Sequence, residues 1–308
     1  MKELFYYVVF PGFFFSVIAG GLLSWFDRKI TARVQFRKGP PILQPFYDIF
    51  KLLYKETIIP KNGAAFTFLA VPIFAVCAAT LAAILILLPG LSILSGFGGD
   101  IIVLFYILAI PSICYIIGGM ASGNPLGMKG ASREMKLVLS YELAFLFIVA
   151  TLIYKSGMSL KISEIIAYQQ LHGANIGNAS GILLFIAAVF CVQAKLGLVP
   201  FDAAEAETEI THGMFIEYSG SAYALIKITK YIMLFVLSAF MVVFFMGGFN
   251  FVGIGILWSV LKLLGVVLLI TLIRNTNPRV RVDQAMRFFF IGMNVIVIAA
   301  FILNYYGL

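Results

Sequence analysis

AAFTFLAVPIFAVCAATLAAILILL, residues Ala64–Leu88, runs for 25 residues without a charged side chain. At about 1.5 Å per residue a helix of that length exceeds the roughly 30 Å hydrocarbon core of a bilayer. In lipid every backbone amide must be satisfied within its own segment, so the stretch reads as a transmembrane helix. Seven further runs qualify by the same criterion: Leu4–Phe26, Ile101–Met120, Leu137–Tyr154, Gly181–Val199, Tyr218–Met246, Phe251–Ile273 and Phe288–Tyr306. The sequence therefore predicts an all-α integral membrane protein of about eight transmembrane helices. Pro72 and Pro111 fall inside spans, where they are expected to kink the helix and be accommodated by neighbours.

Composition agrees. The chain has 308 residues, of which 62% are hydrophobic and 12% charged, whereas a soluble domain is roughly half apolar and a quarter charged. The net charge of +8 does not mark a nucleic-acid binder, because no polar domain stands behind a solvated basic face. Topology accounts for it instead. The loops after the first, third and seventh runs carry fifteen lysines and arginines, against Lys2, Lys155 and Lys161 on the other side. By the positive-inside rule the crowded side is cytoplasmic, and eight spans then place both termini outside. The first run is long enough to span and has only Lys2 before it, so it does not read as a cleaved signal. Cys77, Cys114 and Cys191 are isolated within apolar runs, which excludes a disulfide framework and a cysteine-ligated cluster. His172 and His212 lack partners at ligand spacing, so no metal site is expected.

Residues 1–308 read as one membrane domain with two distinctive loops on the basic side. Residues 27–62 are basic and carry an apolar stripe, Phe46, Ile49, Phe50, Leu53 and Tyr54, that predicts an interfacial helix. Residues 200–217, PFDAAEAETEITHGMFIE, hold Asp202, Glu205, Glu207, Glu209 and Glu217 and no lysine or arginine. Were this segment helical, Asp202, Glu205 and Glu209 would share a face and raise one another's affinity for protons. A solvated loop that binds a basic partner is the alternative. On the opposite side, Ile162, Ile165, Ile166 and Tyr168 suggest a second surface helix.

Charges inside spans are costly, at roughly 2.5–3.5 kcal/mol for a central position. Glu142 lies about 7.5 Å inside the fourth span. Lys195 sits near the end of the fifth, Lys227 and Lys230 in the first part of the sixth, and Lys262 near the middle of the seventh. Lys195 and Lys230 could snorkel to the interface; Glu142 is too short and Lys262 too deep. Together with the acidic loop these residues read as a buried polar route for protons or ions.

Four segments resemble one family, the quinone-site membrane subunit of respiratory complex I and its relatives in membrane-bound nickel–iron hydrogenases. They are DRKITARVQFRKGP followed by QPFYDIFKLLYKE (Asp27–Pro40, Gln44–Glu56), REMKLVLSYELA (Arg133–Ala144), PFDAAEAETEI followed by IEYSGSAYALIK (Pro200–Ile210, Ile216–Lys227), and the region of Arg279, Arg281, Asp283, Gln284 and Arg287. The resemblance implies that Glu142, Asp202, Glu205, Glu207, Glu209 and Glu217 fall on the family's acidic channel positions. Lys195, Lys227, Lys230 and Lys262 join them on the cost of burial alone. Arg28, Arg33, Arg37, Lys38, Arg133, Arg279, Arg281 and Arg287 are the expected docking residues for a peripheral redox module. No cofactor is expected on this chain; iron–sulfur clusters and any nickel–iron centre are expected on peripheral iron–sulfur and hydrogenase-like large subunits. Antiporter-like and small membrane subunits are the other implied partners, with lipid around them and no nucleic acid.

One departure narrows the resemblance. Where complex I subunits have a longer GPNxVGPxGLLQP stretch beside the quinone chamber, this chain passes directly from Gly39-Pro40 through Pro41-Ile42-Leu43 to Gln44-Pro45. That resembles the hydrogenase-type relatives and their sulfur-reducing sibling, which oxidise ferredoxin without quinone. The expected function is thus an energy-coupling membrane subunit of such a complex. Its alternatives are the quinone-site subunit of complex I proper and a passive anchor. A free-standing transporter fits poorly with the large charged faces.

Overall fold

The computed structural model describes residues 2–91, 93, 96–250 and 253–306, and among these the regular structure is helical throughout. The helices are α1 (Lys2–Val8), α2 (Phe13–Val34), α3 (Gln44–Leu53), α4 (Ala65–Gly90), α5 (Asp100–Ala121), α6 (Pro125–Lys155), α7 (Ile162–His172), α8 (Ala179–Lys195), α9 (Glu207–Ile210), α10 (Gly220–Phe245), α11 (Gly255–Thr276), α12 (Val282–Arg287) and α13 (Asn294–Tyr305), with a π-helical stretch over Phe288–Met293 before the last.

Seven helical segments among the described residues are long and apolar enough to cross a membrane. The remaining expected span, Gly181–Val199, is realised as α8, whose 17 residues make a rod of about 25 Å. Asn175 before α8 donates to the C-terminal carbonyl of Phe244 in α10, while Lys195 at its end meets Glu142. The two ends of α8 therefore lie at opposite ends of the bundle. The predicted start of the seventh span, Phe251, lies outside the described residues, and α11 begins at Gly255.

α10 is the hub. It packs against α2, α3, α4, α8 and α11, and from Tyr231 to Phe245 every residue is buried. Its C-terminal carbonyls would be unsatisfied in lipid. Gln169 of α7 donates to Val243, Asn175 donates to Phe244, and Lys262 of α11 donates to Met246, at 2.9, 2.8 and 2.6 Å. α7 thus caps the bundle through Ile162, Ile165 and Ile166, which are all buried.

The opposite end gathers the basic and acidic segments. α2 runs through Val34, so Asp27, Arg28 and Arg33 ride on its last turns instead of standing in a loop. α3 forms as expected and lies beside α2 and α10. Hydrogen bonds of Thr57 and Ser219 tie the stretch after α3 to the start of α10, and Val280 donates to Pro200 at 3.0 Å.

Candidate functional site

At the charged end of the bundle α2, α10, α11 and residues 196–212 enclose a polar cavity of about 610 Å³. α2 supplies Asp27 and Arg28, α10 supplies Lys227, Lys230 and Tyr231, and α11 ends in Arg274. The acidic segment brings Asp202, Glu205, Glu207 and His212 to the same space.

The acidic segment does not form the helix that would align its carboxylates. Only Glu207–Ile210 is helical, and Thr211 then takes a left-handed conformation, φ 54°. The buried Ala203, Ala204 and Ala206 anchor the chain, and four of the five carboxylates turn to partners of their own. Asp202 is held by Arg279 through three contacts of 2.6–2.8 Å. Glu205 pairs with Lys230 at 2.5 Å, Glu209 with Arg133 at 2.6 Å, and Glu217 accepts from Asn124 at 2.6 Å. Glu207 remains exposed at the cavity mouth. For Asp202, Glu205 and Glu209, crowding of like charges is thereby replaced by pairing with cations. The hydrogen bond to Asp202 in turn raises the Arg279 guanidinium above its ordinary value.

At the rim α2 is clamped to three other helices. Asp27 accepts from Thr271 at 2.9 Å and from Arg274 at 2.7 Å, tying α2 to α11. Arg28 donates to Asp48 of α3 at 2.9 Å and to the Tyr231 hydroxyl of α10 at 3.1 Å. Lys227 reaches over the Tyr223 ring, 5.4 Å from its centroid.

Deeper in, a second space of about 20 Å³ shares Leu196, Gly197, Glu205 and Lys230 with the large cavity and adds Tyr115, Glu134 and Lys195. That is room for a single water. Gly197 lines both spaces with φ 61°, a left-handed conformation that calls for glycine. Beyond lies the Lys195–Glu142 ion pair. The Lys195 side chain is 1% exposed, with its ammonium 4.6 Å from the Phe145 ring centroid and 5.4 Å from that of Tyr141. Lys195 therefore does not snorkel. Glu142 Oε2 is buried without a hydrogen-bond partner, leaving one oxygen free for a water or a proton.

Among the expected relay residues the structure gathers Asp202, Glu205, Glu207, Lys227 and Lys230 at the cavity, with Lys195 and Glu142 behind them. Glu209 and Glu217 bind elsewhere on the same face. Lys262 stands apart. It is two turns from the start of α11, at the far end of the bundle, and its flexible stem carries the ammonium to the end of α10. Of the expected docking residues, Arg33, Arg37, Lys38, Arg279, Arg281 and Arg287 are exposed, whereas Arg28 and Arg133 are partly buried in ion pairs. Sequence reasoning missed Asp27 and Glu134. Each carried a signal: Asp27 ends an apolar run, and Glu134 shares the spacing of Ala131, Val138, Tyr141 and Phe145, all buried.

Residues 6–305 match the family model described as NADH dehydrogenase. The H subunit of NADH-quinone oxidoreductase from Thermomicrobium roseum is 34% identical over 290 residues, covering 86% of this chain and 84% of that protein. Its counterpart from Burkholderia vietnamiensis is 33% identical, covering 86% and 80%. Among solved structures, a chain of the membrane-bound sulfane sulfur reductase, an archaeal respiratory membrane complex, superposes with a TM-score of 0.85 at 28% identity, covering 94% of this chain and 95% of its own. The helical membrane fold and the match along nearly its full length place this chain in the NADH dehydrogenase family, that of complex I subunit 1 and the bacterial H subunits.

Proposed function

We propose that this chain is the membrane-anchoring and energy-coupling subunit of a ferredoxin-dependent respiratory complex of the hydrogenase-like or sulfur-reducing kind. Its coarser role, as a membrane subunit of a complex I-like or sulfane sulfur reductase-like respiratory complex, follows from family and fold. The finer reading is carried by one observation: two lysine–glutamate pairs, Lys230–Glu205 and Lys195–Glu142, stand in series from a polar cavity into the bundle. A passive anchor has no use for buried charges in that order. Protons enter at the acidic segment and pass, with a change in ion pairing, toward antiporter-like and small membrane subunits.

The basic face, with exposed Arg33, Arg37, Lys38, Arg281 and Arg287, docks the peripheral iron–sulfur and hydrogenase-like large subunits. Among the described residues no three His, Cys, Asp or Glu side chains converge as a metal site. Any iron–sulfur clusters and nickel–iron centre are part of this proposal only as cofactors of the peripheral subunits. The chain lies in the cytoplasmic membrane with its basic face inward and both termini outside.

Replacing Glu142 with Gln in the assembled complex is the direct test. The complex assembles with a lowered unfolding temperature and still takes electrons from ferredoxin, while ion transport per electron is lost. An unchanged ion gradient returns the chain to a passive anchor. Assaying the wild-type complex with ferredoxin and protons, polysulfide or quinone decides the acceptor; quinone reduction would assign the chain to complex I proper.

A further inference from the structure

The geometry points to Glu134 as the proton-holding junction between the two lysine–glutamate pairs, with Lys230 as the cation that moves between Glu205 and Glu134. This inference rests on the coupling role proposed above and names a residue and a moving part within it.

Glu134 is 6% exposed and lies on α6 a little over two turns before Glu142. No ion pair of Glu134 occurs among the described residues, although every other carboxylate around the polar cavity except the exposed Glu207 has a basic partner. It lines the inner space together with Lys230, Glu205, Tyr115 and Lys195, and it feels the charges of Glu205 and Lys230. Lys230 lines both spaces, bonded to Glu205 and lying over the Phe215 ring at 4.6 Å. One ammonium thus stands beside two carboxyls, one facing the open cavity and one facing inward. An uncompensated charge in such surroundings is far costlier than a paired one, so the cation and the proton must occupy opposite carboxyls.

The step balances without any added reactant. With Lys230 on Glu205, Glu134 holds the proton. When Lys230 crosses to Glu134, Glu205 takes one proton from the cavity, and Glu134 releases one to a water in the inner space. One proton has moved inward, and the charge of Lys230, Glu205 and Glu134 together is unchanged. The inner space holds about one water, so a hydrated sodium ion has no room in this step.

Three variants of the assembled complex, Glu134→Gln, Glu134→Asp and Glu142→Gln, test the inference by ion transport per electron in proteoliposomes. Glu134→Gln loses transport with electron transfer retained, and Glu134→Asp, which keeps a carboxyl, recovers much of it. Full transport by Glu134→Gln beside loss in Glu142→Gln overturns the junction and leaves the coupling role standing. Full transport by both overturns the coupling role and the junction with it. Should Glu134→Gln fail to assemble, infrared difference spectra on reduction of the wild-type complex decide. A protonated-carboxyl band that shifts in Glu134→Asp supports the inference, and spectra identical in the two proteins overturn it.

Discussion

Lys195 has almost no contact with solvent, and its charge is met by Glu142 and two aromatic rings. Removing one partner of such a pair strands the other, at a cost of roughly 3–5 kcal/mol, whereas replacing both by apolar groups can be neutral. Lys195→Met should therefore lower the thermal unfolding temperature of the purified complex sharply. Combining it with Glu142→Leu should restore most of the loss, and a double variant as unstable as the single one would contradict the pairing. At this scale the sequence was readable where burial is expensive. Glu142 and Lys195 stand out in apolar runs, but which lysine answers which glutamate depends on how α6, α8 and α10 meet. Lys262 shows the limit: depth in a run located it on α11, and only the packing of α10 revealed that its ammonium closes a helix end.

Among the elements, α3 has an attachment that depends on pH. Burial pushes the Asp48 carboxyl upward, but hydrogen bonds from Arg28 and Gln44, with the charges of Arg28 and Lys227, outweigh this and hold it below its ordinary value. A carboxyl lowered by folding contributes stability above its unfolded value, about 3.9, and that stability is lost as pH falls through the lowered value. Hydrogen exchange in α3 should accelerate below about pH 4 before α10 opens, and Asp48→Asn should show the faster exchange already at neutral pH. Simultaneous opening of both helices would show that Asp48 does not hold α3 down. The periodicity of Phe46, Ile49, Phe50 and Leu53 made α3 legible. The acidic segment was not, because its conformation is set by arginines and lysines on α6, α10 and the loop after α11. Nor did the apolar run at Phe288–Met293 announce its π-helical winding, since composition is blind to a widened turn.

For the whole molecule, the separation of charge between two ends was legible from loop composition, whereas the cavity formed between elements far apart in sequence was not. The basic end presents Phe36, 99% exposed with φ 56°, followed by exposed Arg37 and Lys38. An aromatic ring offered to solvent beside two cations suits a partner of complementary charge. Arg37→Glu combined with Lys38→Glu should release the peripheral subunits at lower salt without altering helicity, as sedimentation in a salt series would show; unchanged release would place docking elsewhere. The enclosure of α10 has a different consequence. Surrounded by other helices, it must tolerate change by shape, so an Ile-to-Phe exchange is as disruptive there as a polar one. α11 and α13, with Leu257, Trp258, Leu261, Val295 and Ile298 turned outward, ask only for oiliness. Substitutions should thus be absorbed most easily in the rind, while volume constrains the axle.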